Sequence, residues 1–143
     1  MKNLTVRVSK LVGTPTASSW SQIHTFFPQE ADKSAKRGIL LAVLTFSGLP
    51  ETDQQMEVVA LGREILSRLH EEYYGELETS AMEKLTTAVE KVTNEFKGNG
   101  KELEIIAGVV IGEVLYLAIT GLGGIFVKRG TSIQKILTGQ SEK

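Results

Sequence analysis

The chain has 143 residues, a net charge of −1 and no cysteine. That length is enough for one domain with a full hydrophobic core, and the near-neutral balance gives no electrostatic ground for a nucleic-acid or anionic-membrane partner. Without thiols there are no disulfides, thiolate zinc sites or cysteine nucleophiles.

At the N-terminus, MKNLTVRVSKLVGT lacks the unbroken apolar core of a signal peptide, so a cytoplasmic location is expected. Leu4, Val6 and Val8 alternate with Thr5, Arg7 and Ser9, which predicts a half-buried strand ended by the turn-rich stretch 13–19. The alternation resumes over 20–27, with Trp20, Gln22, His24 and Phe26 on one face. Neither face is purely apolar, as in an edge strand. Residues 28–36 are polar and read as a loop. GILLAVLTFSG, residues 38–48, is a continuous apolar run bounded by glycines, the pattern of a central strand covered on both faces.

Two amphipathic helices are predicted next, at about 53–74 and 81–97. Thr52 with Gln55 makes a capping box at the first start, and Val58, Leu61, Ile65 and Leu69 line one face. Ser80 with Glu83 makes a second box, ahead of Met82, Leu85, Val89, Val92 and Phe96 at helical spacing, and Gly98 supplies a stop. The short connection makes the helices antiparallel neighbours.

The remaining stretch, Leu103 to Leu137, carries one charge, Glu113, between Ile105 and Val127. Its length suits a membrane span over 105–127, with Lys128 and Arg129 as the anchor. Its β-branched residues and the Gly112-Glu113 pair favour two strands joined by a tight hairpin instead. A second hairpin turns at Lys128-Arg129-Gly130-Thr131. The fold class expected is α+β: a single domain over 1–143, a layered sandwich of mostly antiparallel sheet with a pair of antiparallel helices. Its strands fall within 3–47 and 102–137.

Candidate chemistry is sparse. His24 and His70 are the only histidines; His24 has no acid near it in sequence, and His70 suits the negative end of a helix. Gly121, Gly123 and Gly124 precede a strand, not a helix, and so mark a bend and not a phosphate loop. Glu71, Glu72, Glu76 and Glu78 form a solvated face, and Lys128, Arg129 and Lys135 are too few for a nucleic-acid patch. Only Asp32 and Asp53 are aspartates, and no acidic residue precedes Glu30.

In this order of elements the chain resembles the N-terminal half of the metal-dependent protein phosphatases (PPM fold). GILLAVLTFSGLPETD occupies the place of the family's strand ending in Asp-Gly, with Thr45 and Phe46 at the metal-binding Asp and Gly and Ser47 and Gly48 beyond them. EVLYLAITGLGGIFVKRGTSIQKILTG follows the family's paired strands, with Gly121-Leu122-Gly123-Gly124 replacing the Gly-Asp-Ser-Arg turn and Leu137-Thr138 keeping the ending. The family holds two divalent cations through aspartates, and hard cations need charged oxygens. The resemblance therefore implies a phosphatase-like domain without its metal site, with no catalytic, metal-binding or cofactor-binding residue and no cofactor. Thr45, Phe46, Ser47, Gly48, Gly121, Leu122 and Gly123 are its vestigial site positions.

Such a pseudophosphatase is expected to act in regulation or assembly through protein contacts. A half-length fold leaves sheet edges that a longer relative would cover, which implies self-association or a protein partner. Two alternatives are a small-molecule or enzymatic domain built on His24, Thr45 and Ser47, and the membrane-anchored reading of residues 105–127.

Overall fold

The computed structural model of the chain describes residues 6–13, 19–47, 55–75, 78–96, 102–121 and 123–138. Their order is β1 (Ser19–Phe26), α1 (Ala31–Lys36), β2 (Ile39–Ser47), α2 (Gln55–Tyr74), α3 (Ala81–Phe96), β3 (Glu102–Ile111), β4 (Val114–Thr120), β5 (Gly124–Arg129) and β6 (Ser132–Thr138). β1 to β4 form one antiparallel sheet in the order β1-β2-β3-β4, and β5 and β6 form a separate hairpin. The fold is mixed α+β, with antiparallel sheets and a helix pair.

Register sorts the sheet into two faces. Leu40, Ala42, Leu44 and Phe46 of β2 oppose Val109, Ala107, Ile105 and Leu103 of β3, and all eight are buried. The helices cover this inner face with Ile65, Leu66, Leu69 and Tyr73 of α2 and Leu85, Ala88, Val89 and Val92 of α3. A buried Leu, Ile or Val contributes about 1.5 to 3 kcal/mol, so the core between sheet and helices supplies most of the apolar stabilisation. The opposite, outer face is also apolar. Ile23, Val43, Ile106 and Ile119 form one cross-strand row, Leu41 and Leu117 flank Gly108 in the next, and Ile39, Val110 and Leu115 make a third.

Tight turns arise where glycine allows them. Gly112 has φ +59° and lies in the two-residue link between paired Ile111 and Val114. The 105–127 run therefore lies on β3, β4 and β5, which corrects the helical-span alternative. No helix among the described residues is long and apolar enough to cross a membrane. Gly38, at φ +66°, starts β2 where an added Cβ would stand 2.0 Å from the Val110 carbonyl oxygen. Only glycine fits there.

Other expectations need correction. Residues 6–13 form no strand; alternation alone does not make one without a ladder partner, and Leu11 is 95% exposed. The predicted loop at 28–36 contains the six-residue helix α1. Its turn closes with the Ser34 amide on the Glu30 carbonyl and the Arg37 amide on the Lys33 carbonyl. β2 is central but not covered on both faces, since Val43 is 36% exposed. Met82 also lies outside the core, in the first turn of α3 ahead of Leu85, the first residue of that helix to be buried. β1 is an edge strand as expected. At the start of α3 the Glu83 amide donates to Ser80 Oγ at 3.3 Å, the N-cap bond of the second capping box. Thr52, Gly98 and the Val58 side chain lie outside the described residues.

Candidate functional site

The positions singled out by the phosphatase resemblance separate between the two faces. Phe46 points inward and is buried in the core. Thr45, its neighbour, belongs to the outer face, opposite Ser21 on β1 and Glu104 on β3. The Ser21 and Thr45 hydroxyls are 3.4 Å apart, and the Thr120 hydroxyl accepts a bond from the Ile105 amide at 3.1 Å. Gly121 closes this end of the sheet, where an added Cβ would stand 2.3 Å from Glu104 Cγ. Gly123 crosses the outer face, 2.6 Å separating its would-be Cβ from Ile106 Cδ1. Ser47 is paired through its backbone with Ser19 and Glu102. Gly48 and Leu122 fall outside the described residues.

Thr45 and Gly121 are thus brought to one end of the outer face beside the Glu104 carboxylate, while Gly123 lies further along, over Ile106 and Ile119. Among the described side chains, the Ser21 and Thr45 hydroxyls and the Glu104 carboxylate are a poor match for a pair of hard divalent cations, which need several charged oxygens. Among the described residues no group of three or more His, Asp or Glu side chains could hold a metal ion. The alternative site built on His24, Thr45 and Ser47 is not assembled. His24 pairs with inward-facing Ala42 and Thr45 lies on the opposite face, so the sheet itself separates them.

His24 has a different partner. Its Nε2 lies 3.3 Å from Nδ1 of His70 on α2. The His70 ring packs edge-on against Phe26 at 4.3 Å and tilted over Tyr74 at 4.7 Å between centroids. Burial, the His70 ring and Lys10 hold the His24 imidazole below its ordinary pKa. For His70 the causes of the downward shift are burial and then Lys33, partly opposed by Glu71. A specific contact with β1 therefore replaces the helix dipole as the explanation for His70. The signal was present in the sequence: Leu66, His70 and Tyr74 recur every four residues, on one face of α2.

A second polar cluster has no signature in the sequence. Arg37, at the end of α1, is 1% exposed. Its Nε donates to the Tyr73 carbonyl at 3.0 Å and one Nη to the Thr79 carbonyl at 2.9 Å, and the guanidinium carbon lies 5.6 Å from the Tyr73 ring centroid. In return the Tyr73 hydroxyl donates to the Arg37 carbonyl at 2.6 Å and the Tyr74 hydroxyl to the Gly38 carbonyl at 2.8 Å. The cation meets a carbonyl in the last turn of α2, where helix carbonyls lack intrahelical partners and the dipole is negative. This cluster ties the start of β2 to the end of α2. The acidic residues near that helix end are partly paired, Lys91 reaching Glu72 at 3.2 Å, while Arg68 meets Glu95 at 2.7 Å further back along α2.

No family model, no curated protein and no solved structure matches the chain.

Proposed function

We propose that the chain is a non-catalytic, phosphatase-like module that works by protein contact, and that its contact surface is the outer face of the β1-β2-β3-β4 sheet. The observation that carries this reading is the run of three adjoining apolar rows on that face, in which Val43 is 36% and Leu115 46% exposed. Strands about 4.8 Å apart and about 3.3 Å per residue give the rows a footprint of about 400 Å². Part of this footprint is covered where Gly123 passes over Ile106 and Ile119, and its most exposed members are Val43 and Leu115. The separate β5–β6 hairpin has exposed apolar residues of its own, Phe126 at 59% and Ile133 at 68%. The proposed occupant is a second copy. The three rows contain no ionisable side chain, so two such faces meet without burying like charges.

Two experiments test this function. A manganese-dependent assay on a generic aryl phosphate is expected to give no turnover, and turnover abolished by a chelator would overturn the non-catalytic half. Val43→Asp, which puts a charge in the middle of the face, is expected to abolish chemical cross-linking between copies that the unmodified chain shows. Equal cross-linking in both would place the contact elsewhere.

A further inference from the structure

The contact between His24 and His70 does more than fill space. The nitrogens are 3.3 Å apart and the ring centroids 5.5 Å. The two values differ by about the sum of the two centroid-to-nitrogen distances, so the nitrogens point at each other nearly along the line between the rings. That is the geometry of an N–H donating to an imidazole lone pair. Which ring donates depends on the tautomer, but the proton count does not. Two neutral imidazoles place one hydrogen between the facing nitrogens. A first added proton goes to the outward nitrogen of the donor ring and leaves the bond intact. A second has only the accepting lone pair left, and taking it sets two N–H groups and two positive charges against each other.

We propose that the His24–His70 contact is an acid-sensitive clasp between edge strand β1 and α2, closed while the facing nitrogens share one proton and opened when a second arrives. The charged and titratable groups around it bear on the same balance. Lys10 acts on His24 from the chain before β1, and Lys33 acts on His70 from α1. Glu71 opposes them from α2, where Tyr74 also touches His70. The adjoining strand β2 presents only apolar side chains on this face, Leu40, Ala42, Leu44 and Phe46. Both rings are held below the ordinary imidazole value of 6.5. The clasp is therefore fully closed above that pH and weakens as pH falls below it, by up to about tenfold in its opening equilibrium per pH unit and proton. A similar spacing would suit a tetrahedral cation held by two imidazoles. The nearby lysines disfavour one, and among the described residues no third ligand joins the pair.

The chain carries its own reporter. Trp20 is the only tryptophan, lies on the same face of β1 as His24, and packs against Gly62 of α2. Its emission should change in one step between pH 8 and pH 5, with a midpoint below 6.5 and with far-UV dichroism constant. His70→Phe keeps the ring packing and His24→Gln keeps a hydrogen-bonding amide, and either should abolish the step. An NMR titration of the unmodified chain should show the two imidazoles losing protons in separate, coupled steps, a readout that needs no variant to fold. Flat Trp20 emission, a step that persists in both variants, dichroism lost along the same curve, or two independent titrations near 6.5 would each overturn the clasp.

Discussion

Arg37 is the residue whose role is least apparent from its neighbours in sequence. In KSAKRG it looks like one more solvated cation beside Lys36, yet its partners Tyr73 and Thr79 lie 36 and 42 positions away. Only the packed fold distinguishes the two. Arg37→Met keeps much of the side chain's bulk but leaves two carbonyls without a charged donor. Stability should fall by about 3 to 5 kcal/mol, measured by urea unfolding. The phenols of the same cluster give a test of opposite chemistry. Burial, above all, pushes both Tyr73 and Tyr74 well above the ordinary tyrosine value of 10.0. Groups raised in the folded state stabilise it fully below the unfolded value and lose that contribution as pH rises through the folded one. Thermal midpoints should therefore hold steady up to pH 10 and fall above it. Tyr73→Phe, which removes the 2.6 Å bond to the Arg37 carbonyl, should cost about 1 to 3 kcal/mol at neutral pH.

At the scale of elements, hydrophobic period carried much of the information. Alternation placed Trp20, Gln22, His24 and Phe26 on one face of β1, and helical spacing placed Leu61, Ile65 and Leu69 on one face of α2. β-branched content with a Gly112 turn resolved an apolar run of membrane-spanning length into a hairpin. Period failed where a partner decides the outcome. Residues 6–9 alternate without a ladder, and α1 is too short for its pattern to stand out. Gly62 shows the same dependence on a partner. A glycine inside a helix costs about 1 kcal/mol relative to alanine, but here a Cβ would come 1.9 Å from the Trp20 ring. Gly62→Ala should therefore destabilise the fold despite better helix propensity, by about 1 to 3 kcal/mol. A shift in Trp20 emission under native conditions should accompany it.

For the whole molecule, one layer is complete and the other is not. The inner face of the main sheet is closed by α2 and α3, while the outer face shows apolar rows and the crossing at Gly123. Of the candidate site, the residues Thr45, Gly121 and Gly123 could be named from the phosphatase-like pattern. Strand register sets Thr45 beside Glu104, whereas the approach of Gly121 to Glu104 and of Gly123 to Ile106 depends on the path of the chain after β4. The His24–His70 pair could not be named from local pattern, because it joins two elements 46 residues apart. If the open face is a contact surface between copies, association must depend on concentration and on the apolar character of Val43. Light scattering over a concentration series reads both. Molar mass of the unmodified chain should rise with concentration from 15.6 kDa toward twice that value, and Val43→Asp should hold it at the lower one. A mass fixed at 15.6 kDa for the unmodified chain at every concentration would rule out a contact between copies.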